Sequence, residues 1–378
     1  MSLKEEMVNG TQPPARVAKP AADGTATLTA DLSTTDSASL RLTISRRTDN
    51  SRGMRSLQHL LKPLRPHLAK PRKIQPAGSQ KLSPPEKVSK KCHVTEKQVD
   101  GIWLYELVSS AQVKTTTEGP VRRVYYFAGG GWQMPPSGNH WSLIAELSHR
   151  LPETIFTVVS YPLAPKTPAS ESLPQLRKLY NTIMTDPATA NDTIAFAGDS
   201  AGGNVAIALV MWALTEMAEG KASSRAPDAI VGICPSTDLR HLDPKIAATV
   251  HHDPMFTIEF IQSTAKAWAD GQIDTPSLTP AGPEGYKAWS MSDPRVTPAL
   301  ADASLLTRYN VKVHGITGTY DVLAPEAMAF RDRCAEVGVE GQWLEWEGQM
   351  HCFPLTFAYG LKEAKEAVTW LVGIFESI

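Results

Sequence analysis

From about residue 95 to the end of the chain, short apolar runs alternate with longer amphipathic ones. The runs at 121–127 (VRRVYYF), 154–161 (TIFTVVSY), 193–198 (TIAFAG), 229–235 (AIVGICP), 311–318 (VKVHGITG) and 342–348 (QWLEWEG) predict strands. Between them, segments at 141–151, 173–184, 203–220, 325–338 and 364–378 repeat apolar residues at helical spacing. Strands alternating with helices imply a mostly parallel sheet with helices on both faces. Between Asp238 and Leu300 the alternation lapses: 256–271 (FTIEFIQSTAKAWADG) reads as a helix, and Pro- and Gly-rich turns follow it. An insertion there, about 240–300, would lie over the carboxyl ends of the strands as a lid.

The pattern fails upstream. Residues 1–50 are rich in Thr, Ser, Ala and Asp and poor in large apolar side chains, the composition of a disordered tail. Residues 51–95 form a basic, proline-punctuated arm in which Lys62, Arg65, Lys70, Arg72 and Lys73 are set among Leu57, Leu60, Leu61, Leu64 and Leu68. A nucleic-acid or membrane-surface patch is one reading of it. The other, which we adopt, is a solvated arm that packs its leucines on the body, because Pro63, Pro66 and Pro71 bar a long amphipathic helix. Residues 96–378 are then the catalytic domain, carrying the lid insertion.

Composition narrows the class. With 42% hydrophobic residues, 20% charged residues and a net charge of −1, the chain can build a large core and has no global field for nucleic acid or anionic membrane. Cys92, Cys234, Cys334 and Cys352 are scattered without a CxxC pair, so neither a disulfide framework nor a thiolate metal site is expected. The start, MSLKEEMVNG, has no apolar centre, and no apolar run approaches the roughly 20 residues of a membrane span. The expectation is a soluble, cytoplasmic protein that works on a small molecule without a cofactor.

Gly198-Asp199-Ser200-Ala201-Gly202 matches G-x-S-x-G directly after a predicted strand and directly before a helix. A serine on such a turn exposes its hydroxyl at the sheet edge, next to the positive end of the helix dipole. A hydroxyl is a weak nucleophile near neutral pH and needs a base. His351, in a turn after the last predicted strand, suits that role by order and position. Asp321, at the end of the preceding strand, would orient the ring; Glu326, just after Pro325, reads instead as a helix start. The run Ala128-Gly129-Gly130-Gly131-Trp132 offers bare backbone to a developing oxyanion, with Gly129 and Gly130 as donors beside the amide of Ala201. Trp132 and Tyr161 are candidates for the substrate pocket, and no residue is assigned to a metal. Asp199 reads as a helix-start residue, and Asp293, Arg295 and Pro298 as loop-fixing.

With these motifs in place, the chain resembles the hormone-sensitive-lipase-like branch of the α/β-hydrolases from roughly Ile102 to its end. The resemblance rests on AGGGW at 128–132, YPLAPKTP at 161–168, GDSAGG at 198–203, SDPRVTPAL at 292–300, the D-x-L at Asp321–Leu323 and the His351 turn. It implies a carboxylic ester hydrolase with Ser200, Asp321 and His351 as its triad, and a lid built from the N-terminal segment and the insertion. The basic arm resembles that of fungal members, some of which deacetylate sterols or secondary metabolites. A short-to-medium acyl ester of a small hydrophobic molecule is the implied substrate. Transacylase, thioesterase, lactone or amide hydrolase chemistry would use the same triad, and a non-catalytic ligand receptor is the alternative outside enzymes. The chain departs from the family at Ala128, where HGGG has a histidine that braces the turn.

Overall fold

In the computed structural model, residues 41–68, 73–111, 119–271 and 287–378 are described. Nine strands form one sheet: β1 (Leu42–Arg47), β2 (Cys92–Val99), β3 (Ile102–Ser109), β4 (Arg122–Phe127), β5 (Thr154–Ser160), β6 (Thr193–Asp199), β7 (Ala229–Ile233), β8 (Lys312–Tyr320) and β9 (Gly341–Met350). Their order is β1-β9-β8-β7-β6-β4-β5-β3-β2. β2 and β3 are antiparallel to their neighbours and the other pairings are parallel. Central strands such as Ala229–Ile233 are buried at every residue, since helices cover both faces.

Seven longer helices accompany the sheet: α1 (Arg52–Leu61), α2 (Gly138–Arg150), α3 (Ala169–Thr185), α4 (Ser200–Ala218), α5 (Ile258–Asp270), α6 (Ala324–Glu336) and α7 (Lys362–Glu376). Among the described residues only α4 is long and apolar enough to cross a membrane, and 72% of its apolar window is buried within the protein, as suits a core helix. After β4 the chain moves to one side to make β5, then returns to the other side of β4 to make β6. The crevice at the carboxyl ends of β4 and β6 is therefore the topological switch point, where open α/β sheets bind ligands.

The disordered tail expected over residues 1–50 does not extend across its last part. Leu42–Arg47 pairs in parallel with β9, from Leu42 opposite Gly341 to Arg47 opposite Trp346. An edge strand is held by backbone hydrogen bonds and one packed face, so it needs few large apolar residues; here Leu42 is buried and Arg47 lies 4.3 Å over the Trp346 ring. Residues 1–40 of the expected tail, with Lys70 and Arg72 of the arm, lie outside the described residues, as does part of the insertion, 272–286.

The arm begins as α1, whose N-cap Ser51 accepts from the Met54 amide, and α1 ends at Leu61, two residues before Pro63. Its leucines do not all pack as expected: Leu57 and Leu61 lie against the core, whereas Leu60, Leu64 and Leu68 are exposed. Lys62 Nζ donates to the His251 carbonyl at 3.0 Å, so the arm and the insertion touch. Within the insertion, α5 is capped by the Thr257 hydroxyl and closed by Gly271 in the left-handed region.

Candidate active site

Ser200 is the first residue of α4 and has φ +52°, a conformation that L-residues adopt at a cost of order 1–3 kcal/mol. Glycines make the elbow possible. A Cβ at Gly198 would meet the Phe127 carbonyl at 2.6 Å, and one at Gly203 would meet Pro235 Cβ at 2.9 Å. Strain concentrates here: of the seven non-glycine residues with positive φ among the described residues, Trp132, Ser200, Cys234, His241 and Cys352 lie at this end of the sheet.

Beyond the end of β9, His351 Nδ1 donates to Asp321 Oδ2 at 2.7 Å, and both side chains are buried. Burial by itself would lower the imidazole pKa. The Asp321 carboxylate outweighs it and pushes the ring up to about 9. Glu326 is engaged elsewhere, its Oε2 lying 2.9 Å from His241 Nδ1. Among the described residues Ser200 Oγ makes no hydrogen bond, and His351 Nε2 lies 3.3 Å from Cys352 Sγ. The structure thus brings Asp321 and His351 into contact and places Ser200 at the same end of the sheet.

The glycine turn corrects one assignment. The Gly129 amide is not free for an oxyanion, because it donates to Asp199 Oδ1 at 2.9 Å. The amides of Gly130 and Gly131 have no acceptor among the described residues, and Gly131 lines the cleft with Ser200 and Ala201. Both need to be glycine, with φ +135° at Gly130 and +58° at Gly131. Gly131 therefore replaces Gly129 as the available donor.

Asp199 does more than start a helix. It accepts from the Gly129 amide, from Tyr126 Oη at 2.6 Å and from His140 Nε2 at 3.1 Å. Burial pushes its carboxyl up, but His140, Tyr126 and Gly129 together hold it below the ordinary value. His140 stands in the first turn of α2, where its Nδ1 accepts from the Ser137 amide and leaves Nε2–H to donate. With Ala128 in place of the family histidine, the turn is braced by His140 through Asp199. Only its position in the helix start, H-bonded back to Ser137, marks this histidine, and nothing local in the sequence announces its reach to Asp199.

Tyr161 is also reassigned. It is buried beneath the turn, its hydroxyl donates to the Ala128 carbonyl at 2.9 Å, and it is not among the residues lining the cleft. Trp132 does line the cleft and stacks on Trp268 of α5 at 5.9 Å. Asp293 and Arg295 close a loop on each other, with Arg295 Nε donating to Asp293 Oδ1 at 2.9 Å. From the insertion, Phe256, Phe260, Ile261 and Thr264 cover the opening and leave a cleft of about 280 Å³, mouth included.

Asp253, which the sequence does not single out, joins that cover to the acid turn. Its Oδ1 accepts from the Met255 and Phe256 amides, and its Oδ2 from the Val322 amide at 2.8 Å. Burial first, and the Asp321 carboxylate second, push its carboxyl up to about 6. Cys234 and Cys352, distant in sequence, also converge: their sulfurs and a ring nitrogen of His351 all lie within 4.8 Å of one another.

A strained serine at the switch point of a mostly parallel sheet, with an Asp–His pair from the turns after β8 and β9 at the same end, is the construction of an α/β-hydrolase. A family model described as the alpha/beta hydrolase fold matches residues 124–355, and the chain belongs to that family. An esterase of Gibberella moniliformis is 27% identical over 287 residues, which cover 73% of this chain and 81% of that protein. Esterase LipU of Mycobacterium tuberculosis is 27% identical over 245 residues, covering 62% and 71% respectively. Carboxyl esterase 2 of Tuber melanosporum superposes with a TM-score of 0.66 at 17% identity, over 87% of this chain and 99% of that one. A hormone-sensitive lipase from a metagenome library gives 0.65 at 16% identity, over 88% and 99%. At such identities the structural likeness speaks for the fold.

Proposed function

We propose that this carboxylic ester hydrolase works through an acyl-enzyme on Ser200, with His351 as general base and acid and Asp321 as the group that orients the ring. One observation carries the reading: the elbow serine with Ala201, the Asp321–His351 pair, and the Gly130 and Gly131 amides, which have no acceptor among the described residues, lie at one end of the sheet. Ser200 Oγ attacks the ester carbonyl carbon while His351 Nε2 takes its proton. Negative charge gathers on the carbonyl oxygen, which the amides of Gly130, Gly131 and Ala201 receive; one such donor is worth about 2.7–4 kcal/mol in a measured case. His351 returns the proton to the departing alkoxide, and water then repeats the sequence on the acyl-enzyme. The Ser200–His351 hydrogen bond forms as substrate orders the site, since such bonds are often long before substrate binds.

The cleft supports a short acyl group. The enclosed space beside Ser200 is small, and Phe256, Phe260 and Ile261 make its wall apolar. An acetyl or similarly short acyl group, carried by a small hydrophobic alcohol, suits that apolar lining. The test is hydrolysis of nitrophenyl esters from acetate to long chains, with and without added alcohol, by wild type and Ser200→Ala. The expected outcome is turnover that falls with chain length and drops at least about 10⁴-fold in the variant. Undiminished turnover by Ser200→Ala would end the proposal.

A further inference from the structure

Two thiols beside a catalytic histidine call for an explanation that ester hydrolysis does not supply. Cys234 leaves the end of β7 and Cys352 follows His351, both with positive φ. Their sulfurs and a His351 ring nitrogen all lie within 4.8 Å of one another, and the three side chains are buried. The Nδ1 side of the ring is taken by Asp321 at 2.7 Å, and Nε2 lies 3.3 Å from Cys352 Sγ. In a tetrahedral zinc site with the usual Zn–S and Zn–N bond lengths, neighbouring sulfur and nitrogen ligands stand roughly 3.5 Å apart. A carboxylate that holds the far side of a ligating imidazole, as Asp321 does, is the common outer partner of such ligands.

We propose that Cys234, Cys352 and His351 Nε2 form a three-ligand site for a thiophilic divalent cation of the zinc type, and that its occupation switches the esterase off. Binding releases one proton from each thiol and, below the imidazole pKa of about 9, a third from His351 Nε2, and gives two thiolates and one neutral imidazole around the cation, with water in the fourth position. Two sulfur donors favour zinc, cadmium or cobalt over magnesium or calcium, which take oxygen ligands. The inhibitory half rests on the proposed role of His351: a cation on Nε2 holds the lone pair that must accept the Ser200 proton. His351 and Cys352 keep 4% and 6% of their surface exposed, and Cys234 is fully buried.

Cobalt reports the site independently of turnover, because thiolate ligands give it charge-transfer absorption in the near ultraviolet and tetrahedral geometry gives it intense visible bands. Full-length, metal-stripped Ser200→Ala is titrated with cobalt chloride, then with zinc chloride as competitor. The expected result is one cobalt per chain with both features, displaced by zinc, weakened about 10- to 100-fold by Asp321→Asn and absent from Cys234→Ala/Cys352→Ala. In parallel, zinc inhibits wild type in proportion to the same occupancy, and a chelator restores activity. Cys234→Ser serves as a milder variant should the double one fail to fold, and it too is expected to lose the thiolate signal of its ligand. A spectrum unchanged by these substitutions overturns the site, as does thiol counting that shows Cys234 and Cys352 already joined in a disulfide. Cobalt bound at Cys234 and Cys352 with wild-type activity intact overturns the inhibitory half and points against His351 as base. No cobalt signal together with an inactive Ser200→Ala leaves the esterase reading standing and removes the metal site alone.

Discussion

Asp321 and His351 set the pH behaviour of the site. The carboxylate raises the imidazole pKa to about 9, and only the neutral ring can take the serine proton. Activity should therefore climb as pH rises through that value, and kcat/KM should report an apparent pKa above the ordinary imidazole value of about 6.5. Asp321→Asn removes the charge that favours the imidazolium, so it should shift this limb to lower pH while cutting kcat by up to about 10⁴-fold. A pH profile of wild type and variant checks both signs. His140 acts one step further away, through Asp199 and the Gly129 amide. His140→Ala should lower kcat more than it raises KM, since the amides of Gly130 and Gly131 matter most when charge develops. Equal loss in kcat and gain in KM would argue for general loosening instead. The turns that hold Ser200, Asp321 and His351 were legible because a strand context marks each of them. Which glycine amide is free was not, because that depends on an acceptor 70 residues away.

Elements differ in how openly the chain declares them. Strands β4 to β8 lie at the centre of the sheet and are mostly buried, so their apolar runs stand out. Strands β1 and β2 lie at the two edges, with one buried residue each, and read as polar coil. The lid illustrates the same limit: its helix is visible in 256–271, whereas its attachment through Asp253 is not. A side chain that satisfies two amides of the insertion and one of the turn after β8 ties the cover to the Asp321 loop. Asp253→Ala leaves three donors without that acceptor and should destabilise the protein by about 1–3 kcal/mol. Thermal melting measures the loss, and a KM that rises with it would place the effect at the cover. Gly202→Val belongs to this scale too. A side chain there would strike the Phe127 carbonyl and part α4 from β4, so the variant should lose both stability and the elbow.

At the scale of the whole molecule, the sheet joins both ends of the chain. β1 closes the edge at β9, and Ser51, the cap of α1, is bonded through its backbone and hydroxyl to Glu363 of α7. A truncation that starts at residue 51 removes β1 and bares the β9 edge, and should lower the melting temperature by at least about 4 °C, the equivalent of roughly 3 kcal/mol in a domain of this size. An unchanged melt would show β1 to be dispensable. The same architecture explains why one crevice carries the chemistry. The crossover reverses at β4, which leaves the mouth between the β4 turn and the β6 elbow open to a ligand, and the insertion roofs it with apolar side chains.

The central claim is that Ser200 becomes covalently acylated. The direct measurement is intact mass and peptide mapping after treating the protein with an alkyl phosphonate that mimics the tetrahedral intermediate. The account predicts one adduct per chain, located on Ser200, formed in step with the loss of ester hydrolysis and absent from Ser200→Ala. Hydrolysis that continues in the presence of a full adduct, or an adduct on another residue that accounts for the loss, would contradict it.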